Sequence, residues 1–318
     1  MGMFMPEAGM IKTKTLFILG AGASKPFGYP TGIELREIIL RMSVLPDVVS
    51  ALTPVNEEST WYEKSVLKFI SEFLKSSVYS IDYFLEKRPE FTEIGKMSIA
   101  ACLIGYEKDQ ELRNHANGNW YMYLYDRLKS SFEDFDKNNI SFITFNYDRS
   151  LEQFFHNALK STFNKSNQEC ADKLKEIPIV HLYGHIGLLP WQLQDSNDEI
   201  CFPYTQEVTK QRVVNALKTL KLINSERRIE DSEEFKAAYK LIETAQRIYF
   251  MGFGFDEVNL ERLDIKLMGG KSLIATAYGL DASTQKRVTQ DFQTRANSDI
   301  FLDDKNVLAL LKDYLQYE

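Results

Sequence analysis

The stretch "TLFILGAGASKPFGYPTG", residues Thr15 to Gly32, joins a short apolar run to a glycine-rich turn. The run is continuous rather than alternating, which indicates a strand buried on both faces, as in a parallel sheet. Gly20 and Gly22 follow it, and glycine lets a backbone approach a phosphate closely. The dinucleotide-binding pattern G-x-G-x-x-G needs a third glycine, but Lys25 stands at that position. These residues alone leave two interpretations open, a nucleotide site or a plain strand-to-helix turn.

Five further apolar segments predict strands of the same sheet. They are "ISFITFN" (140–146), "IPIVHLYG" (177–184), "RIYFMGFGF" (247–255), "SLIATAYGL" (272–280) and the weaker "DIFL" (299–302). Helical patterns fill the intervals, with apolar residues recurring at three- and four-residue spacing. Because strands and helices alternate, the sequence predicts an α/β fold, a Rossmann-like, doubly wound parallel sheet.

The whole chain, residues 1–318, is expected to form a single domain, because it contains no repeat and no low-complexity linker. Its Rossmann-like core is predicted over approximately residues 13–32, 137–200 and 246–318. Two helical insertions, at approximately 33–136 and 204–245, are predicted to form a cap beside the sheet.

Composition and charge exclude several classes of protein. The net charge of −7 gives no support to direct binding of nucleic acid. Cys102, Cys170 and Cys201 form no C-x-x-C pair, so a zinc module of four cysteines is excluded and no metal is expected. The first residues lack the pattern of a signal peptide, and no apolar run is long enough to span a membrane. We therefore expect a cytoplasmic protein.

Several motifs together resemble the sirtuin-like domains. The first stretch is similar to the family pattern G-A-G-x-S-x-x-x-G-x-P. The other matches are "SIDYFLEKR" (80–88), "TFNYD" (144–148, family T-x-N-x-D), "VHLYGH" (180–185, the strand with the catalytic histidine) and "MGFGFDEVN" (251–259, family G-F-G-F-x-x-x-N). The motifs follow the family's order and span residues 20–259, which is most of the chain.

The resemblance implies a sirtuin-like fold that binds NAD as a substrate. It assigns the first glycine loop to NAD, with the segment after it starting a mobile cover over the ribose. The NAD-binding residues expected on this basis are Gly20, Ala21, Gly22, Ser24, Tyr29, Pro30, Thr31, Asp82, Tyr183, Gly252, Gly254 and Asn259. For Asp82, an ordinary acid at a helix N-terminus is an equal alternative.

The resemblance also predicts the catalytic residues. Asn146 would hold the ribose on the nicotinamide side together with a water, and Asp148 belongs to the same motif. Either side chain is also a natural helix cap. The family's basic histidine directly precedes a glycine, but here Tyr183 stands there, so the base is His181 or His185. If the strand continued, side chains 181, 183 and 185 would share one face. We favour His181.

Two departures from the family argue against protein deacylation. The zinc cysteines are missing, and Thr31, Gly32 and Ile33 replace the family's D-F-R. Bacterial sirtuin-like antiphage domains share these departures and hydrolyse NAD to nicotinamide and ADP-ribose. The resemblance therefore implies an NAD glycohydrolase that acts in antiviral defence, as abortive infection. The alternatives are a non-catalytic module that binds NAD or ADP-ribose and, less favoured, an NAD-dependent deacylase.

Partners are implied by the resemblance alone. A toxic NAD hydrolase must be controlled, and standalone members of this group occur beside a HerA-type hexameric ATPase. We therefore expect a homo-oligomer that docks such an ATPase. The helical insertion between Trp61 and Asp136 is the expected contact surface.

Overall fold

A six-stranded, all-parallel sheet forms the centre of the protein, with strand order β3-β2-β1-β4-β5-β6. The computed structural model describes residues 10–41, 59–115, 118–128, 130–193, 200–221 and 232–315. The strands are β1 (Thr15–Leu19), β2 (Ile140–Thr144), β3 (Ile179–His181), β4 (Arg247–Met251), β5 (Ser272–Thr276) and β6 (Ile300–Asp303). The strand order reverses direction between β1 and β4, as in a doubly wound Rossmann-like sheet. The predicted fold class is confirmed.

Helices connect the parallel strands, as crossover connections require. Within the described residues they are α1 (Ala21–Ser24), α2 (Gly32–Leu40), α3 (Ser59–Ser76), α4 (Ile81–Lys87), α5 (Thr92–Ile104), α6 (Trp120–Arg127), α7 (Ser150–Phe163), α8 (Asn167–Lys175), α9 (Lys210–Ala216), α10 (Glu233–Thr244), α11 (Glu257–Arg262), α12 (Ala282–Asp291) and α13 (Val307–Tyr314). None of the described helices is long and apolar enough to cross a membrane.

The core is centred on β1, whose five residues are all buried. Phe17 lies in register with Phe142 on β2 and Tyr249 on β4. Its ring stacks on theirs, with centroid distances of 5.2 and 5.4 Å. Burial on both faces explains why the sequence of this strand is continuously apolar rather than alternating.

The two predicted insertions contact each other, because α5 packs against α2, α3 and α4 and also against α9. Parts of both insertions nevertheless belong to the layers that cover the sheet. Helix α6 packs against α7 and α13, and α10 packs against β3. Residues 42–58 and 222–231 of the predicted insertions, and the N-terminal residues 1–9, lie outside the described residues.

Four strands end earlier than the apolar runs predict, at Thr144, His181, Met251 and Thr276. The difference matters most at β3, which we expected to continue to Gly184. The chain instead turns there, since the amide of Gly184 donates to the carbonyl of His181 at 3.2 Å and Gly184 has a φ of +69°. Residues 181, 183 and 185 therefore do not line one face of a strand, and a turn sets the position of His185.

Candidate functional site

Nearly all of the residues expected to bind or act on NAD lie after the carboxyl ends of β1, β2, β3 and β4. Ligands of open α/β sheets bind at this edge, next to the point where the strand order reverses. Here that point is the boundary between β1 and β4. Asp82 does not follow a strand end, because it lies on α4. Its carboxylate reaches the same region by accepting a hydrogen bond from Tyr147.

The glycines after β1 pack directly against the loop after β4. The amide of Gly20 donates to the carbonyl of Met251, and the amide of Gly22 to that of Gly252, both at 3.0 Å. A Cβ atom on Gly20 would lie 2.5 Å from the Gly252 carbonyl oxygen, and one on Gly22 would lie 2.9 Å from it. Real Cβ atoms do not approach backbone so closely. The close approach of two loops thus requires these glycines, with or without a phosphate.

The segment that follows α1 is tied to the core. The side chain of Tyr29 is 2% exposed, and its hydroxyl lies 2.9 Å from that of Tyr204. The hydroxyl of Thr31 accepts from the amide of Glu34 and caps α2, while the Glu34 carboxylate accepts from the amide of Thr31. Pro30, between them, is half-buried. These contacts fix the segment that we expected to be a mobile cover, and they occupy the polar groups of Tyr29 and Thr31.

Asn146 joins the loop after β2 to the loop after β1. Its side-chain amide donates to the carbonyl of Gly20 at 3.0 Å and to the hydroxyl of Ser24 at 2.9 Å. Ser24 in turn donates to Asp148 at 2.7 Å. Among the described residues no hydrogen bond reaches the Asn146 side-chain oxygen. This half-buried oxygen can therefore accept a bond from a ribose hydroxyl or a water.

Of the two side chains predicted as possible helix caps, Asp148 bonds the start of α7. Its carboxylate accepts from the amide of Ser150 at 3.1 Å and also from the Ser150 hydroxyl. Burial raises the pKa of Asp148 despite the hydrogen bonds from Ser150 and Ser24. The side chain of Asn146 bonds the glycine loop instead, and among the described residues it does not cap a helix.

His181 is held through both ring nitrogens. Nδ1 lies 2.9 Å from the main-chain oxygen of Asn146, and Nε2 lies 2.6 Å from a carboxylate oxygen of Glu152. Both partners are acceptors, so both nitrogens donate and the ring is an imidazolium. Burial opposes this charge, but Glu152 outweighs burial and raises the pKa of His181. Burial likewise opposes ionisation of Glu152, whose pKa is nevertheless lowered by the His181 charge.

His185 is more exposed than His181 and has a different protonation state. Its Nδ1 donates to the carbonyl of Gly187 at 2.7 Å. Within the described residues its Nε2 has no hydrogen-bond partner. The rings of His181 and His185 lie 5.3 Å apart, edge to face. Burial, together with the charge of His181, lowers the pKa of His185 to about 4. His185 is therefore neutral near pH 7, with an Nε2 lone pair able to accept a proton.

A polar network lies beside the histidines. Tyr147, next to Asn146 in sequence, donates its hydroxyl to Asp82 on α4. Tyr183 donates to the side chain of Asn259 at 2.9 Å and accepts from Arg262 at 2.5 Å. Burial raises the pKa of Asp82 to about 6, although Arg262 opposes the shift.

Gly254 differs from the other loop glycines. It is exposed, and a Cβ atom added there would meet nothing within 4 Å. The backbone at this position is therefore open to an approaching ligand.

Sequence reasoning missed three charged residues that organise the site. Glu152 is the partner of His181, and Arg262 holds Tyr183. Arg149 is fully buried and forms a bidentate ion pair with Glu107, at 2.7 and 2.8 Å. The sequence carries little signal for Glu152, because of its helix neighbours three and four residues away only Phe155 is apolar.

No group of three or more histidine, cysteine or acidic side chains in the described part of the chain could hold a metal ion. The chain matches no family model, and no curated protein matches it at a significant level.

Proposed function

We propose that this protein is an NAD⁺ glycohydrolase with a sirtuin-like fold, which cleaves NAD⁺ to nicotinamide and ADP-ribose. The observation that carries the proposal is that two groups at the carboxyl edge of the sheet, Asn146 and His185, both lie against His181. Asn146 presents a free side-chain oxygen while its amide holds the glycine loop. His185 presents a neutral ring with a free Nε2 in the same region, close to His181. Hydrolysis at a ribose needs such a hydrogen-bonding group and such a base.

The chemistry demands little acid catalysis. The bond between the ribose C1′ and the nicotinamide nitrogen breaks, and its electron pair neutralises the positive ring, which makes nicotinamide a good leaving group. Positive charge develops on the ribose, as in glycoside hydrolysis. The oxygen of a water then bonds C1′, and its proton passes to a histidine nitrogen. Asn146, Ser24 and Asp148 would position the ribose and the water through the network that already joins them.

The biological role proposed here rests on the sequence resemblance. The enzyme would act in the bacterial cytoplasm as an antiphage effector that depletes NAD. It would form a homo-oligomer and bind a HerA-type ATPase that controls it. The contact surface would be the helical insertion between Trp61 and Asp136, which includes α4, α5 and α6. Size measurement of the purified protein, with and without the ATPase, tests this part independently of catalysis.

Purified protein incubated with NAD tests the activity. We expect nicotinamide and ADP-ribose to appear in equal amounts, measured by chromatography, and Asn146→Ala to reduce kcat by about 10²-fold or more. Asn139→Ala is the matched control, because Asn139 lies just before the opposite end of β2 and its side chain donates to the carbonyl of Lys12, away from the site. Wild-type protein that binds NAD and releases no nicotinamide, in any oligomeric state, would contradict the proposal.

A non-catalytic NAD or ADP-ribose sensor is the second candidate. It is favoured by one observation, that both nitrogens of His181, the histidine preferred from the sequence, are occupied. A sensor would bind ADP-ribose in calorimetry without any turnover of NAD. Deacylation is less favoured, because the zinc cysteines of that class are missing from the sequence. Incubation with an acylated peptide and NAD separates it from simple hydrolysis.

A further inference from the structure

We propose that the two histidines have different roles: His185 is the base that takes the proton from water, and the Glu152–His181 ion pair is a positioning unit. The pair holds the main chain of Asn146, so that the side chain of Asn146 faces the ribose. This inference rests on the proposed NAD hydrolysis and specifies which residues of that site act as base and which position Asn146.

His181 has no nitrogen free to accept a proton. The Asn146 carbonyl can only accept a hydrogen bond, so Nδ1 must carry a hydrogen. The Glu152 carboxylate at 2.6 Å takes the hydrogen on Nε2. Removing either hydrogen would leave two acceptors facing each other in a buried site, where His181 is 8% exposed. His181 therefore acts as a fixed double donor.

The ion pair is positioned to orient Asn146. The amide of Asn146 donates to the hydroxyl of Thr144 at 3.0 Å, and its carbonyl accepts from His181. The main chain is thus held on both sides of the residue whose side chain bonds the glycine loop. Glu152 comes from the first turn of α7, and its second carboxylate oxygen is buried without a hydrogen-bond partner. The charge of His181 is the main compensation for that carboxylate.

His185 has the geometry of a base. The turn at Gly184 places it beside His181, and the Gly187 carbonyl fixes the hydrogen on Nδ1. That tautomer leaves the lone pair on Nε2. In the proposed step this lone pair takes a proton from the water as its oxygen bonds C1′ and the nicotinamide bond breaks. The charged groups that act on His185 are His181, Glu152 and Arg149, and those that act on His181 are Glu152 and Asp148.

Kinetics with three variants separate the two roles. His185→Asn should lower kcat about 10²- to 10⁴-fold, the usual contribution of a general base, with NAD binding retained. Glu152→Gln should lower kcat less, about 10-fold, because its amide can donate to a neutral His181, which then keeps its bond to Asn146. Glu152→Ala loses that donor and should lose more activity than Glu152→Gln. The matched control is His115→Asn, since His115 is exposed.

The pH profile of kcat/KM distinguishes the proposed positioning role of Glu152 from a purely structural one, because a purely structural role would leave the profile unchanged. Glu152→Gln removes the carboxylate and lets His181 lose its proton. Of these two charges, His181 acts more strongly on His185, so the pKa of His185 should rise from about 4. The acidic limb of the profile should therefore move to higher pH in Glu152→Gln.

Nitrogen NMR of the four imidazole rings tests the assignment without turnover. At pH 7 the His181 ring should carry two hydrogens, and the His185 ring one, on Nδ1. A neutral His181, or full activity of His185→Asn beside an inactive His181→Asn, would overturn the inference while leaving NAD hydrolysis intact. Wild-type protein with no hydrolysis would instead remove the proposed function itself, and the base assignment with it.

Discussion

Gly252→Ala tests whether backbone contact between two loops sets the glycine pattern. A Cβ atom at this position would lie 2.1 Å from the nitrogen of Ala23 and 2.3 Å from the carbonyl carbon of Gly22. Neither atom can move without shifting the loop after β1. The φ of +59° adds a conformational cost of about 1 kcal/mol, the clash adds about 1–3 kcal/mol, and reduced freedom of the unfolded chain returns less than about 1 kcal/mol. We expect a loss of about 3 kcal/mol in the free energy of unfolding.

Substitutions at two other glycines separate the conformational cost of a positive φ from the cost of the steric clash. Gly270→Ala has the same kind of φ, +73°, with nothing within 4 Å of the added atom, so it should cost only about 1 kcal/mol. Gly254→Ala has neither feature and should be nearly neutral. Urea denaturation followed by circular dichroism measures all three. A Gly252→Ala protein as stable as Gly270→Ala would refute the reasoning.

Three further predictions concern buried charges. Glu107→Gln should lower the free energy of unfolding by about 3–5 kcal/mol in urea denaturation, because it leaves Arg149 buried without its counter-charge. The ion pair of Glu152 and His181 should stabilise most between pH 4.5 and 6.5, the ordinary pKa values of its groups. That stabilisation is lost as pH falls through the lowered pKa of Glu152 or rises through the raised pKa of His181, and Glu152→Gln should flatten the thermal-melt profile accordingly. Asp82→Asn should raise the melting temperature at pH 8 and not at pH 4, because burial raises the pKa of Asp82 to about 6 and ionising it costs stability.

The sheet could be predicted from the sequence because its central strands, β1, β2 and β4, are buried on both faces. Such strands are continuously apolar, and the six segments identified from the sequence match the six observed strands, although β6 ends one residue later, at Asp303. Strand ends were less predictable. The apolar run through Leu182 and Tyr183 continues past β3, but both side chains are buried in a turn rather than in a strand. Burial sets the apolar pattern, whereas the hydrogen bond from Gly184 to His181 ends the strand.

Motifs located the residues of the site but not their partners. Asn146 and Asp148 lie in one motif and Ser24 lies in another, and the structure joins the three through hydrogen bonds. The partner of His181 could not be identified, because Glu152 is 29 residues away in sequence and no pattern links the two. Single residues follow from local spacing, but ion pairs between elements depend on how the elements pack.

The insertion helix α4 is bonded to the loop that carries Asn146 and, through Arg262 on α11, is linked to the loop that carries His185. Asp82 accepts from Tyr147, the neighbour of Asn146, and Glu86 pairs with Arg262 at 2.5 Å. Arg262 in turn donates to Tyr183, two residues before His185. Displacing α4 would therefore break the hydrogen bond to Tyr147, next to Asn146, and the ion pair to Arg262, which holds Tyr183. For this reason the insertion supports the site. Substitutions in "SIDYFLEKR" are expected to alter the site, although α4 is separated from the end of β1 by more than 60 residues of sequence.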